Sequence, residues 1–202
     1  MVTIVDLGIG NIGSVSKALR YLEVEHEIVA QAESLSSAKK IILPGVGSFS
    51  EGVKRLDETG FRPALLEAVQ KRGVPLLGIC VGMQLLAKTG YEGGETQGLG
   101  LIDGVVDKID DMGGQLLIPH MGWNDVRLSD SPVFSSIPPQ SCFYFVHSYA
   151  MRLNEDADTA YTSYGDDVLA FVNKGRVYGA QFHPEKSQQP GLTFLRNFIE
   201  LC

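Results

Sequence analysis

The stretch at residues 75–86, PLLGICVGMQLL, limits most strongly what this chain can fold into. An apolar run breaks at Gly78, Cys80 stands between two glycines, and a helical pattern follows with no linker. A strand that turns directly into a helix is a nucleophile elbow, which holds the residue at the turn clear of its own backbone. Flanking glycines give the turn room, and a helix N-terminus favours the thiolate, the attacking form of cysteine. The stretch predicts a cysteine nucleophile, and a buried structural cysteine is the alternative.

The chain before the elbow alternates apolar runs with helical patterns. Strands are predicted at residues 2–6, 27–29, 40–43 and 75–79, and helices at 12–22, 49–57, 61–72 and 81–89. Such alternation is typical of βαβ units. We therefore expect an α/β fold with a central, mostly parallel sheet and helices on both faces.

The sequence changes character after Gly90. Residues 91–140 are rich in glycine, proline and aspartate, and short strands are predicted at 142–149, 160–164, 168–173 and 176–182. These predict additional antiparallel strands in the C-terminal half, which extend the first sheet or form a second one. A helix is predicted at 189–201. Because no repeat or low-complexity linker divides the chain, we expect residues 1–202 to form a single domain.

Composition excludes several classes of partner. The chain has 202 residues, 44% of them hydrophobic, and a net charge of -7 at pH 7 with no basic cluster, so we expect neither nucleic acid nor membrane as a partner. The N-terminus does not resemble a signal peptide. Three scattered cysteines are too few for a disulfide framework or a metal site. We expect a cytoplasmic protein without a metal.

Glycine-rich turns follow three of the predicted strands, at residues 8–11, 44–47 and the elbow. The carboxyl ends of parallel strands share one edge, so these turns should lie together where ligands bind. Gly8, Gly10 and Gly13 have the spacing of a dinucleotide-binding loop, but no acidic residue ends the next predicted strand. We therefore expect no cofactor.

A base for the cysteine is available at residues 181–185, QFHPE. The proline after His183 favours an extended backbone, in which residues i and i+2 point the same way. Glu185 can then orient the imidazole and stabilise the imidazolium. A solvated turn is the alternative for this short motif.

Acyl transfer also needs hydrogen-bond donors for the oxyanion. In elbow architectures one donor is the residue after the nucleophile, here Val81, and another lies in the loop after an earlier strand. The segment at 43–49, LPGVGSF, is the candidate loop, with Val46 and Gly47 as donors. A flexible loop here could switch activity on and off, since one donor contributes about 3 kcal/mol to catalysis.

These motifs resemble a known family. GICVGMQ at 78–84 with HPE at 183–185 resembles the class I (triad-type) glutamine amidotransferases. DLGIGNIG at 6–13, PGVGSF at 44–49 and PHMGWN at 119–124 are similar to the glutaminase subunits of imidazole glycerol phosphate synthases, and the resemblance spans nearly the whole chain. One departure is Val81, where the family often has leucine; the backbone donor is unaffected.

The resemblance implies a hydrolytic mechanism and its residues. Cys80 would attack the side-chain amide of L-glutamine, His183 would shuttle the proton and Glu185 would orient His183, giving a glutamyl thioester, then glutamate and ammonia. The positions implied to bind glutamine are Gly45, Gln84, Glu92, His147, Ser148 and Tyr149.

The resemblance also implies a partner. Ammonia would pass to a (β/α)₈-barrel cyclase subunit in a heterodimer, which makes imidazole glycerol phosphate and aminoimidazole carboxamide ribotide in histidine biosynthesis. Asn11, Trp123, Tyr144 and Lys186 would lie at or near the joint between the subunits.

Two other functions stay open from the sequence. One is the glutaminase of pyridoxal phosphate synthase, against which PHMGWN and GIGNIG weigh. The other is a catalytically inactive sensor or scaffold on the same fold, although such proteins usually lose a triad member and all three are present here.

Overall fold

The first half of the chain alternates strands and helices as predicted. The computed structural model describes residues 1–202. Its first elements are β1 (Val2–Val5), α1 (Ile12–Tyr21), β2 (His26–Val29), β3 (Ile41–Gly45), α2 (Phe49–Glu58), α3 (Phe61–Leu66), β4 (Leu76–Cys80) and α4 (Val81–Gln84). The helix predicted at 61–72 is α3 followed by a π-helical turn at Glu67–Lys71.

The second half is mostly strands and ends in a helix. Its elements are β5 (Ala87–Gly90), β6 (Thr96–Gln97), β7 (Ile102–Lys108), β8 (His120–Asp125), β9 (Cys142–His147), β10 (Tyr149–Leu153), β11 (Asp158–Tyr164), β12 (Asp166–Lys174), β13 (Val177–Ala180) and α5 (Gln188–Leu201). The sequence predicted no strand in 91–140, where the structure has β6, β7 and β8.

A seven-stranded sheet carries the fold, in the order β11-β12-β13-β4-β3-β1-β2. The strands from β13 to β2 are parallel, whereas β12 and β11 add antiparallel pairing at one edge. Every residue of β1, β3, β4 and β13 is buried, as expected for parallel strands covered on both faces. The predicted α/β class is confirmed. Both outcomes predicted for the later strands occur. Strands β11, β12 and β13 extend the first sheet, and β10, β7, β5 and β6 form a second one.

The direction of the crossovers distributes the helices. The connection through α1 leads from β1 outward to β2, while the connection through α2 and α3 leads the opposite way, from β3 to β4. Because parallel crossovers are right-handed, these two connections lie on opposite faces of the sheet. Fifty-three buried apolar side chains form one hydrophobic cluster.

The helix after the elbow is shorter than predicted, which corrects the expectation of a helix through residue 89. It ends at Gln84, and strand β5 begins three residues later, at Ala87. The carbonyls of Leu85 and Leu86 accept backbone hydrogen bonds from the segment at 99–102 instead of from another helical turn. Nine of the ten residues at 81–90 are buried, so the apolar pattern could not distinguish helix from strand.

The single strand predicted at 142–149 is two strands. Strand β9 pairs with β8 as far as His147, and β10 then pairs with β7 in the second sheet. The change of partner falls at Ser148, whose carbonyl accepts from the N–H of Ile109. None of the five α-helices combines the length and apolar composition that a membrane span requires.

Lys40, the residue before β3, holds the C-terminal helix. The Lys40 ammonium donates to the carbonyls of Phe198, Ile199 and Cys202 at 2.9, 2.6 and 2.7 Å. These carbonyls are at the helix C-terminus, where the last acceptors lack helical partners and a cation is favourable.

We expect Lys40→Met to lower the free energy of unfolding by about 1 to 2 kcal/mol, since it removes three charge-assisted hydrogen bonds at a partly exposed site. Urea denaturation measures the change. Lys39→Met, at the exposed neighbouring lysine, is the matched control and should have little effect. Equal losses for the two variants would contradict this role of Lys40.

Candidate active site

The elbow exists as predicted, and its glycines are required by backbone contacts. Cys80 has φ of 55° and ψ of -112°, a conformation that non-glycine residues seldom adopt. A Cβ at Gly78 would lie 2.4 Å from the carbonyl oxygen of Gly82, and a Cβ at Gly82 would lie 1.8 Å from that of Leu43. Neither contact could be relieved without moving α4 away from β3 and β4. The turn therefore fixes the position of the sulfur.

The three glycine-rich turns meet at one edge of the sheet. Gly45 is the register partner of Cys80, and the N–H of Val46 donates to the carbonyl of Ile9 at 2.7 Å. Gly47 has φ of 97°, which favours glycine. The N–H of Val46 is thus engaged with the first turn in this structure, whereas that of Gly47 makes no backbone hydrogen bond.

His183 and Glu185 lie side by side. Nδ1 of His183 is 2.8 Å from Oε1 of Glu185, and their side chains are 2% and 1% exposed. The His183 backbone is extended, as the following proline favours. Because a carboxylate only accepts, Nδ1 carries the proton and Nε2 is left for exchange with Cys80. Nε2 is buried and makes no hydrogen bond to any other protein group.

The surroundings of His183 favour its protonated form. Burial by itself would lower the pKa of His183, but the Cys80 sulfur and the Glu185 carboxylate outweigh burial and raise that pKa to about 10. The imidazolium can therefore serve as the proton donor for a leaving amine at neutral pH.

Ser187 fixes the backbone of this turn and was missed by the sequence analysis. Its hydroxyl donates to the carbonyl of His183 at 2.6 Å and accepts from the N–H of Tyr144 at 2.9 Å. The N–H of His183 donates to the carbonyl of Tyr144 at 2.8 Å. His183 is thus held to β9 by one direct hydrogen bond and by a bridge through the Ser187 hydroxyl.

A cavity of about 290 Å³ opens beside Cys80 and His183. It is lined by most of the predicted site residues, namely Val46, Gly47, Cys80, Val81, Gln84, Glu92, His147, Ser148, Tyr149 and His183. Pro119 and Val146 also line it and were not predicted. Gly45 does not, because it lies behind the elbow, where an added Cβ would be 2.8 Å from the N of Gly82. Glu185 lies behind His183.

Glu92 joins the cavity to the glycine loop. Its Oε2 accepts from the N–H of Phe49 at 2.7 Å, at the first turn of α2, where Ser48 is the N-cap. A carboxylate is favourable at a helix N-terminus. Glu92 is therefore a fixed negative group on the cavity wall and suits a substrate ammonium.

Gln84 is oriented by its neighbours. Its Nε2 donates to the carbonyl of Tyr149 at 2.8 Å and to Oε1 of Gln181 at 3.0 Å. With both N–H groups engaged, its Oε1 is the atom left for a ligand, and it can only accept.

Two buried histidines, His120 and His147, support the cavity wall formed by residues 146–149. Nδ1 of His147 is 2.9 Å from the carbonyl of Tyr149 and so carries the proton, which makes its Nε2 an acceptor for Nδ1 of His120 at 3.0 Å. His120 stacks on Phe145 and Tyr164. Burial lowers the pKa of His120 to about 4 and that of His147 to about 3, so both are neutral at pH 7. His120 belongs to the PHMGWN stretch, but nothing in the sequence assigned it to this wall.

The residues predicted at the subunit joint lie outside the cavity. Asn11 caps α1 by accepting from the N–H of Ser14. Trp123 is 57% exposed and packs edge to face on Tyr144, with ring centroids 5.0 Å apart. The Lys186 ammonium lies 5.5 Å from the Tyr144 ring centroid. Tyr144 therefore belongs to an outer face, although its strand also forms part of the cavity wall.

A cysteine elbow with this histidine and carboxylate on a mixed α/β fold is characteristic of the amidotransferases that use a triad. The family model described as glutamine amidotransferase class-I matches residues 3–201. Two solved structures share the fold. One described as a glutamine amidotransferase has a TM-score of 0.76 and 24% identity over 98% of both chains. PurLQS from Thermotoga maritima has a TM-score of 0.77 and 18% identity over 98% of this chain and 96% of that one.

Similar full-length sequences share one name. "Imidazole glycerol phosphate synthase subunit HisH 1" of Campylobacter jejuni subsp. jejuni serotype O:23/36 (strain 81-176) is 44% identical over 202 residues, covering all of both chains. HisH of Leptospira interrogans is 40% identical over 205 residues with the same coverage. HisH of Geobacillus sp. (strain WCH70) is 45% identical over 207 residues, covering all of this chain and 97% of its own. The chain belongs to the class-I glutamine amidotransferases and, within them, to the HisH family.

The raised pKa of His183 predicts how stability depends on pH. Between the ordinary value of 6.5 and about 10, the folded chain holds a proton on His183 that the unfolded chain releases. This contribution is complete below pH 6.5 and is lost as pH rises through about 10. We expect the difference in unfolding free energy between the wild type and His183→Gln to shrink by more than about 1 kcal/mol across that window.

Urea denaturation at several pH values tests this expectation. His26→Gln, at a histidine outside the site, controls for the loss of a histidine. A difference between the wild type and His183→Gln that stays constant from pH 6.5 to 10 would show that His183 is not preferentially protonated in the folded chain.

Proposed function

We propose that this chain is the glutaminase subunit of imidazole glycerol phosphate synthase, which hydrolyses L-glutamine to L-glutamate and ammonia. The observation that carries the proposal is Cys80 on a strained elbow, sharing a buried cavity with a histidine that is oriented by a carboxylate. The names of its full-length relatives supply the enzyme.

The reaction uses the three side chains in turn. The Cys80 thiolate attacks the carboxamide carbon of glutamine and forms a C–S bond. His183 gives its Nε2 proton to the departing nitrogen as the C–N bond breaks, so ammonia leaves and a glutamyl thioester remains. Water then loses a proton to His183 and attacks the thioester. The C–S bond breaks with its electron pair on sulfur, which restores the thiolate and releases glutamate. Glu185 keeps the imidazole oriented in both halves.

The oxyanion is stabilised by backbone N–H groups at the cavity. Gly47 and Val81 line it and stand on the loop and the elbow, as this role requires. Val46 donates instead to Ile9, so its N–H must turn before it can serve as a donor. With the loop in this arrangement, we expect low glutaminase activity in the chain alone and higher activity once the partner is bound.

The cavity wall offers groups that suit the glutamine backbone. Glu92 presents a carboxylate to the substrate ammonium, and Oε1 of Gln84 can accept one of its N–H groups. His147, Ser148 and Tyr149 close the wall that faces the elbow.

The partner is a (β/α)₈-barrel cyclase subunit, in a cytoplasmic heterodimer. The outer face beside the catalytic edge carries Met121 and Trp123, 62% and 57% exposed, together with Tyr144 and Lys186. Exposed aromatic and methionine side chains with a flanking cation are typical of protein interfaces. Docking there would let ammonia pass directly to the cyclase, before water protonates it.

Neither alternative has an observation in its favour. The relatives named above are HisH subunits, not subunits of pyridoxal phosphate synthase. An inactive scaffold has no need to keep a strained cysteine beside a hydrogen-bonded histidine and carboxylate.

We expect Cys80→Ala to reduce glutamate release by the complex at least about a thousand-fold, because no other nucleophile is available for the thioester. Glutamate formation is measured with a barrel cyclase subunit and its ribotide substrate present. Cys142→Ala, at an exposed cysteine outside the site, is the control and should retain activity. Unchanged hydrolysis by Cys80→Ala would refute the proposed mechanism.

We expect Trp123→Ala to weaken binding of the cyclase subunit by about tenfold or more, since an exposed aromatic side chain at the centre of an interface contributes strongly. Titration calorimetry measures the affinity. Tyr21→Ala removes an aromatic residue that is 72% exposed at the far end of α1, and it should bind like the wild type. Equal affinity of Trp123→Ala and the wild type would place the joint elsewhere.

A further inference from the structure

Gln181 has no role in the mechanism described above, although its buried amide lies next to the nucleophile Cys80. It follows β13, the strand beside β4, and its side chain is 0% exposed. Its Nε2 lies 3.7 Å from Sγ of Cys80, and its Oε1 lies 3.0 Å from Nε2 of Gln84. The amide thus spans the space between the cysteine and a residue of the cavity wall.

The orientation of this amide follows from a backbone carbonyl. The Tyr149 carbonyl can only accept, so the atom of Gln84 that lies 2.8 Å from it must be Nε2. The same Nε2 faces Gln181, and two N–H donors cannot face each other. Gln181 therefore turns Oε1 toward Gln84. Its N–H group necessarily points at the sulfur.

We propose that Gln181 is a further catalytic residue, whose N–H donates to Cys80 Sγ and stabilises the thiolate. A hydrogen bond to a charged acceptor is stronger than one to a neutral acceptor, so this bond favours the thiolate over the thiol. It strengthens whenever the sulfur carries charge. That occurs in the resting thiolate and again when the C–S bond of the thioester intermediate breaks with its electron pair on sulfur. Its catalytic meaning rests on the proposed glutaminase function.

The rest of the cavity makes such a neutral donor important. No lysine or arginine lines it, and its titratable groups besides Cys80 are Glu92, His147, Tyr149 and His183. The Glu92 carboxylate disfavours a second negative charge, and His147 is neutral at pH 7. The Val146 carbonyl, 3.9 Å from Sγ, can accept from a thiol but repels a thiolate. His183, backed by Glu185, and the Gln181 N–H are the groups that favour the thiolate.

The test measures thiolate formation without glutamine. Iodoacetamide alkylation of Cys80 is followed by mass spectrometry of its peptide across a range of pH, which separates it from Cys142 and Cys202. We expect Gln181→Met to slow the alkylation of Cys80 about tenfold at pH 7 and to move the midpoint of the profile to higher pH. Asn197→Leu removes another buried amide, one that donates to the carbonyls of Val133 and Ser135, and should leave the profile unchanged.

A second variant guards against a failure to fold. Gln181→Asn keeps a buried amide but ends short of the sulfur, so it should shift the profile in the same direction. Circular dichroism and thermal unfolding establish which variants are folded. A folded variant at residue 181 with the wild-type alkylation profile would overturn the inference.

The result is separable from the proposed function. If the wild-type complex fails to hydrolyse glutamine while Gln181→Met still shifts the profile, only the proposed function is refuted. If the wild-type complex hydrolyses glutamine while the profile of folded Gln181→Met is unshifted, only the role of Gln181 is refuted.

Discussion

The close approach of α4 to the end of β3 is the contact on which the site depends. Gly82 fits beneath the Leu43 carbonyl with no space for a Cβ, and Gly78 fits beneath Gly82. That contact forces Cys80 into a positive φ, a conformation that costs about 1 to 3 kcal/mol and persists only where surrounding structure imposes it. Strands β3 and β13 pair with β4 on either side and impose it here. The position of the sulfur is thus a property of the sheet.

Burial alone does not decide how a histidine is protonated near this cavity. His183 and His147 are both buried, yet the pKa of the first is raised to about 10 and that of the second is lowered to about 3. The difference lies in their partners. His183 faces the Glu185 carboxylate and the Cys80 sulfur, which favour positive charge, whereas His147 faces a carbonyl and a second histidine. Burial lowers the pKa of His147, and the same burial strengthens the electrostatic interactions of His183 with its partners.

The outer face and the catalytic histidine share a strand. Tyr144 packs its ring against Trp123 on the outside, while its backbone bonds to His183 and Ser187 on the inside. The Val46 N–H is likewise held by Ile9, at the edge where the three glycine-rich turns meet. A small displacement of β9 or of the loop at Val46 would therefore move the groups around Cys80 and His183, because hydrogen bonds between closely packed, rigid elements transmit displacements.

The sequence by itself determined the elements whose signals are local. Strand and helix alternation predicted the parallel sheet, the glycines around Cys80 predicted the elbow, and the proline after His183 predicted that Glu185 would lie beside it. Local patterns could not decide where the fully buried segment after Gln84 becomes a strand, because an apolar residue satisfies either structure when both faces are covered. Only the tertiary structure decided that His120 and Ser187 support the site and that Gln181 faces the sulfur. Each of these roles depends on a partner distant in sequence, and a polar side chain carries no local signal of which partner it will meet.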